Sequence, residues 1–216
     1  SDDPAILEKV RSAVAANRTT LRLGGITANF CRITIATLLL AVWAHLFGGG
    51  FHGKALPYLI VSGVIGFGLG DLAFYQTLPR LGSRLSIVLV HCLAAPLAAV
   101  VEWLWMGTRL TEVQVASSIT ILAGVALALA PGKHLHLPRR VLISGVLFGC
   151  GAAVGQSMGA VLSRKAYQVA AASGEQIDGL TAAYQRILAG WFIAAFMFAL
   201  ALVRAGPRPS CEAATA

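Results

Sequence analysis

The chain has 216 residues, of which 57% are hydrophobic and only 12% are charged. A soluble domain carries about twice that charged fraction, so this composition favours a lipid environment and argues against a disordered chain. The net charge of +8 is spread between apolar runs rather than clustered with aromatic residues, which disfavours a nucleic-acid-binding protein.

Six apolar runs have about the 20 residues that a helix needs to cross a hydrocarbon core about 30 Å thick. In chain order these are segments A (residues 33–50), B (57–79), C (85–108), D (113–132), E (141–163) and F (183–203). Most loops between them are short and rich in glycine and proline, so consecutive segments are predicted to run antiparallel. The runs are apolar on every face, unlike the alternating strands of a barrel. The sequence therefore predicts an all-α, polytopic transmembrane helix bundle.

The parts of the chain outside these runs are more polar. Residues 1–29 form a polar, weakly amphipathic segment without the apolar stretch of a secretory signal. Residues 205–216 form a polar tail, and residues 166–172 are predicted to make a short interfacial helix. One side of the bundle collects twice as many basic residues as the other, which predicts that both termini face the cytoplasm.

A short motif occurs twice in the chain. Phe30-Cys31-Arg32-Ile33 opens segment A, and Tyr184-Gln185-Arg186-Ile187 opens segment F. Five segments separate the two copies, so they enter the membrane from opposite sides. Inverted repeats of this kind are typical of secondary transporters, whose substrate sites lie between the halves.

Small residues at four-residue spacing predict close helix packing. Such rows comprise Ser62, Gly66 and Gly70 in B, and Gly145 with Gly149, then Gly151, Gly155 and Gly159, in E. Packing is favoured over a direct substrate role for these glycines. In segment C, Pro96 is expected to kink the helix and to leave one carbonyl without its helical partner.

Charged groups inside a membrane need a partner or a cavity. Asp71 in B and His91 in C lie at similar depth on neighbouring antiparallel segments, which suggests a proton relay or a polar substrate contact. The alternative is that Asp71 caps a helix and His91 bonds a carbonyl. Arg32 and Arg186 are interpreted first as headgroup anchors and second as substrate ligands, and Glu102 as an interfacial residue.

Four motifs carry a resemblance to a known family. They are GDLAFY at residues 70–75, AAPLAA at 94–99, GTRLT at 107–111 and ILAGVALA at 121–128. Their order and spacing resemble the EamA-like family of the drug/metabolite transporter superfamily. The resemblance implies ten helices in two inverted five-helix repeats, of which residues 30–132 are similar to helices two to five of the first and residues 139–204 to the first two of the second.

The resemblance also carries particular implications. It places the loop before segment A outside the cell, opposite to the charge count, so the orientation stays open. Ala95 stands where the family often has an acidic residue before the proline. A chain with six of ten helices is expected to associate with itself or with a complementary chain, or to insert without transporting. Its unshielded segment E would then expose the row of Gly151, Gly155 and Gly159 to lipid.

The function predicted is a secondary transporter of small organic metabolites or drugs, coupled to ions or protons, in a bacterial inner membrane. Its substrate or coupling candidates are Asp71, His91, Pro96, Tyr75, Arg32 and Arg186. The alternatives are a fragment that does not transport and an intramembrane aspartyl protease, because GLGD at residues 68–71 has the GxGD form without a second aspartate in an apolar run. We expect no cofactor or metal, no enzymatic activity, and the bilayer and a small molecule as partners.

Overall fold

The computed structural model describes residues 24–129 and 138–205, and every regular element in those ranges is helical. The elements are α1 (Gly25–Leu46), α2 (Leu56–Gly63), a π-helix (Val64–Gly70), α3 (Asp71–Met106), α4 (Glu112–Leu129), α5 (Arg139–Ala172) and α6 (Gly179–Ala205). The predicted all-α bundle is confirmed. Calls on residues 1–23, 130–137 and 206–216 lie outside the described residues.

The long helix α3 folds back on itself at Gly82. This residue has φ 74° and ψ 169°, a backbone conformation that glycine adopts without the steric penalty of a side chain. The rings of Phe74 and His91, on either side of the break, lie 6.0 Å apart. A straight helix would separate these two residues by about 25 Å. The two arms, residues 71–81 and 83–106, therefore form an antiparallel pair whose turn comes three residues after Pro79.

Four helical stretches within the described ranges are long and apolar enough to cross a membrane: Gly25–Leu46, Leu56–Met106, Arg139–Ala172 and Gly179–Arg204. The second contains both arms around Gly82, and α4 adds a shorter apolar helix. Large apolar side chains point outward, among them Leu39, 69% exposed, and Phe196, 62% exposed. These surfaces are suited to lipid, since water would disfavour them.

Two predicted boundaries are wrong in a way that matters. Helix α1 begins at Gly25, eight residues before the predicted start, so Arg32 lies two turns inside it. Helix α5 continues without a break to Ala172, so the separate interfacial helix at residues 166–172 does not exist. The predicted boundaries lay at charged residues, whereas α1 and α5 extend past Arg32 and Arg164, which form ion pairs with other helices.

The rows of small residues in segments B and E interlock. A Cβ on Gly155 would lie 2.8 Å from the Gly70 Cα, and one on Gly159 would lie 3.0 Å from the Gly66 Cα. The contacts run in opposite directions along the chain, so the two helices are antiparallel. Ser62 Oγ extends the row by donating to the Gly159 carbonyl at 2.6 Å.

The expectation that the second glycine row of segment E faces lipid is therefore wrong for two of its members. Gly155 and Gly159 are buried against the π-helix segment, because backbones approach there more closely than any side chain would allow. Gly151 is exposed, and no atom lies within 4 Å of the position its Cβ would take. Gly145 and Gly149 pack against Leu81 and Leu89 of α3.

Helices α1 and α6 cross as an antiparallel pair. Phe30 near the start of α1 stacks on Phe198 near the end of α6, with ring centroids 4.6 Å apart. At the other end of the pair, His45 lies edge-on to Tyr184, with centroids 5.3 Å apart. The two copies of the repeated motif therefore lie towards opposite ends of this pair.

Candidate functional site

A π-helix lies at the centre of the bundle. Residues Val64–Gly70 make seven residues of wider helix between α2 and α3. Glycines let it press against both α5 and α6: a Cβ on Gly70 would lie 3.4 Å from the Gln156 backbone nitrogen, and a Cβ on Gly190 of α6 would lie 3.1 Å from the Gly68 nitrogen. Wide turns of this kind occur preferentially at functional sites. The π-helix ends at Gly70, directly before Asp71, and so determines where that carboxylate lies.

A cavity of about 330 Å³ opens beside the π-helix. Its lining residues are Arg32, Gly66, Phe67, Asp71, His91, Gln156 and Arg186. They come from α1, the π-helix, both arms of α3, α5 and α6. The volume is at the lower end of the range of about 300–1,000 Å³ that is usual for small-molecule sites.

Asp71 and Arg32 form an ion pair in the wall of this cavity. The Arg32 guanidinium donates to the Asp71 carboxylate, and the two side chains are 43% and 10% exposed. The Arg32 guanidinium also lies 5.7 Å from the centre of the Tyr75 ring, a distance at which a cation is attracted by the aromatic face. Asp71 is thus held by a cation on another helix, and the same cation rests against Tyr75.

Arg186 contributes a second cation. Its guanidinium lies 5.1 Å from the centre of the Phe67 ring. Its Nε atom is buried and makes no hydrogen bond to any of the described residues. Asp71 is the single acidic side chain among the described residues that line the cavity. With His91 neutral, the lining carries two positive charges and one negative charge.

Comparison with known families identifies the chain. The EamA-like transporter family matches residues 12–130, which is more than half of the chain. The chain belongs to the EamA-like transporter family. The resemblance found in the sequence is therefore confirmed, together with its place in the drug/metabolite transporter superfamily. No curated protein and no solved structure matches the chain.

Within this EamA-like chain, the cavity brings together four of the six candidate residues: Asp71, His91, Arg32 and Arg186. Tyr75 is buried behind the cavity wall against Arg32. Pro96 is buried in the second arm of α3 and is not among the lining residues.

The interpretation of Arg32 and Arg186 as headgroup anchors assumed that both residues stand at helix starts, and the structure places them further along their helices. Arg32 lies eight residues into α1, counting from Gly25, and Arg186 lies at the equivalent place in α6, counting from Gly179. Both residues line the cavity, where the Arg32 side chain is 43% exposed. Arg32 lies there beside the Asp71 carboxylate, and Arg186 lies beside the Phe67 ring.

Two lining residues were missed by the sequence analysis. Phe67 is one aromatic residue in an apolar glycine-rich run, and Gln156 is one amide in segment E. Each type is common in membrane helices, so neither carried a signal by itself. The one available clue is that Gln156 directly follows Gly155, because a residue next to a close helix contact can line the space beside that contact.

Glu102 of this EamA-like chain has a partner that the sequence did not reveal. Arg164 Nη1 donates to the Glu102 Oε2 at 2.5 Å, which joins the second arm of α3 to α5. Trp103 and Trp105, beside Glu102, are exposed. Glu102 therefore makes an ion pair between helices and lies beside two exposed tryptophans.

Proposed function

We propose that the protein is a secondary transporter that carries small organic molecules through the cavity lined by Asp71, Arg32 and Arg186. The observation that carries this proposal is the cavity itself, because charged groups deep in a helix bundle are costly unless they serve a pathway or a pair. Residues from both halves of the predicted repeat line it. A site between two halves is where alternating access moves a substrate.

The geometry around α1 and α6 supports the inverted repeat. Aligning Arg32 with Arg186 maps the contact between Phe30 and Phe198 onto a contact between Ala44 and Tyr184. The neighbouring residue His45 makes that contact, with its Nε2 atom 3.2 Å from the Tyr184 hydroxyl. A pair of helices related by an axis in the membrane plane has this property. We assign residues 30–132 and 139–204 to the two repeats on this basis.

Coupling to protons is part of the proposal. His91 lines the cavity with Asp71, Arg32 and Arg186, and an imidazole is the side chain whose ordinary pKa lies nearest neutral pH. A proton bound at His91 adds a positive charge to a cavity that already contains two guanidinium groups. Release of that proton on the other side of a bacterial inner membrane would favour release of a bound anion.

Uptake into liposomes tests the proposal. The purified full chain is reconstituted, and saturable uptake of radiolabelled organic ions and neutral metabolites is measured with and without a pH gradient. We expect at least one probe class to accumulate above protein-free liposomes, with stimulation by an inwardly directed proton gradient. His91→Gln should remove the stimulation and keep exchange without a gradient. Uptake equal to that of empty liposomes for every probe would refute the function.

A further inference from the structure

The cavity has an uncompensated positive charge. Arg32 is paired with Asp71, whereas Arg186 supplies a second guanidinium to the same lining. Desolvated charges are retained in proteins when they are paired or when they bind a partner. The carboxylate of Asp71 is already engaged by Arg32. The lining therefore has a net charge of one positive unit when His91 is neutral.

Arg186 is oriented to use its hydrogen-bond donors. Its guanidinium lies 5.1 Å from the centre of the Phe67 ring, so one face is covered by an aromatic surface. Stacking of this kind leaves the donors at the edge of the guanidinium plane available, and that edge matches the two oxygens of a carboxylate or phosphate. The buried Nε atom lacks an acceptor among the described residues.

Neighbouring groups add neutral polarity and shape. Gln156 lines the cavity from α5 and offers an amide, which both donates and accepts hydrogen bonds. Gly66 lies close to Arg186: a Cβ there would be 3.8 Å from the Arg186 Nη2 atom. A side chain larger than a methyl group at Gly66 would crowd this guanidinium and the Gly159 Cα, which lies 3.5 Å from the same Cβ position. The cavity thus combines a cation, an amide and free volume.

We infer that the substrate of this cavity is a small organic anion whose carboxylate or phosphate group binds the Arg186 guanidinium. This inference rests on the proposed function, because it assigns a substrate class to the proposed transport site. It excludes organic cations, which would meet two guanidinium groups and an aspartate already bound by one of them. A single negative charge on the substrate balances the charge of the lining.

Binding measured apart from transport tests the inference. The full chain in nanodiscs of neutral lipid is dialysed against radiolabelled pyruvate, glycerol 3-phosphate, tetraethylammonium or ribose. We expect saturable binding of pyruvate, of glycerol 3-phosphate or of both, and none of tetraethylammonium or ribose. The first two probes distinguish a carboxylate from a phosphate ligand. Binding of tetraethylammonium in preference to both anions, or of no probe at all, would overturn the inference.

Charge variants make the test specific to the cavity. Arg186→Gln should raise the Kd of the bound anion at least about tenfold, since a charge-assisted hydrogen bond is lost, and Arg186→Lys should raise it less. Arg109→Gln removes the same charge from an exposed loop residue outside the cavity and should leave the Kd unchanged. Equal effects of Arg186→Gln and Arg109→Gln would overturn the inference.

A third variant changes the charge in the other direction. Asp71→Asn raises the net charge of the lining by one unit and should increase affinity for succinate relative to pyruvate. Unchanged relative affinity would count against charge selection by the cavity. Anion binding without flux would refute transport and support the assigned ligand class. Flux of ribose or tetraethylammonium without anion binding would support transport and refute the assigned ligand class.

Discussion

The Arg32 guanidinium donates to the Asp71 carboxylate across 39 positions of the sequence. This ion pair ties α1 to the beginning of α3, directly after the π-helix. It also fixes the charge state of the cavity, because it neutralises one of the two guanidinium groups that line it. A single contact thereby combines a structural role with control of the site's charge.

Asp71→Asn should abolish proton-coupled uptake while membrane insertion stays unchanged. The substitution leaves the Arg32 charge without its carboxylate, and removing one partner of a buried pair is strongly unfavourable. Because Arg32 is partly exposed, we expect a loss of stability of about 1 to 3 kcal/mol. Thermal unfolding in detergent and uptake at two pH values measure the two effects. Adding Arg32→Gln to Asp71→Asn should recover part of the stability, and uptake with an unchanged pH dependence would contradict the prediction.

Gly155→Ala should destabilise the bundle, and Gly151→Ala on the same helix should not. A methyl group at Gly155 would collide with the backbone of Gly70, which cannot move aside as a side chain would. Overpacking of this kind costs about 1 to 3 kcal/mol. Alanine at Gly151 meets open space and improves helix propensity. Melting temperatures of the two purified variants provide the comparison, and equal values would show that the rows of small residues do not hold α5 against the π-helix.

Asp178→Ala should weaken the start of α6. The Asp178 Oδ1 atom accepts hydrogen bonds from the Leu180 and Thr181 backbone N–H groups at 3.0 and 2.9 Å, the arrangement of a helix N-cap. Loss of such a cap costs about 1 kcal/mol. Asp178→Asn can keep a cap and is the matched control at neutral pH. A melting temperature unaffected by alanine would exclude the capping role.

The same cap predicts a pH dependence. Hydrogen bonds from the Thr181 side chain and backbone lower the pKa of Asp178 below its ordinary value. A lowered folded-state pKa contributes stability that is present above the unfolded pKa of about 3.9 and is lost as the pH falls through the folded value. The original chain should therefore lose more stability than Asp178→Asn between pH 6 and pH 3. An equal fall in melting temperature for the two proteins between pH 6 and pH 3 would contradict the assignment.

Breaking the ion pair between Glu102 and Arg164 should have only a small effect. The Arg164 side chain is mostly exposed, and pairs of this type contribute at most about 1 kcal/mol. A double-mutant cycle with Glu102→Gln and Arg164→Gln measures the coupling free energy. A value well above that limit would mean that the pair is shielded by a neighbour in the membrane.

The sequence predicted the helical elements of this fold better than the contacts between them. Each of the six apolar runs overlaps a helix in the described residues, because a lipid solvent imposes length and composition on spanning helices. Four helical stretches there are long and apolar enough to cross a membrane, and segment D corresponds to the shorter helix α4. The turn between the arms of α3, at Gly82, lies between the predicted end of segment B at residue 79 and the predicted start of segment C at residue 85. What the runs could not show was that segment B contains a π-helix, since the change in hydrogen-bond pattern leaves no mark on composition.

The site was predictable in part for a similar physical reason. Asp71 and His91 were placed at equal depth by counting residues from a shared turn, and both line the cavity. Arg32 was placed at a helix start, whereas its helix begins seven residues before it, at Gly25. The partner of Asp71 depends on how α1 packs on α3, and no local pattern encodes that contact.

Accessibility of Gln156 during transport is the most direct test of the central claim that substrate passes through this cavity. Gln156→Cys and Val154→Cys are prepared with the native cysteines replaced by alanine; Val154 is on the same helix, is exposed, and is not a lining residue. We predict that a charged thiosulfonate reagent modifies Gln156→Cys and blocks its uptake, and that bound substrate slows this modification. Uptake by Val154→Cys should be unaffected by the reagent. Uptake that continues after complete modification of Gln156→Cys would contradict the account.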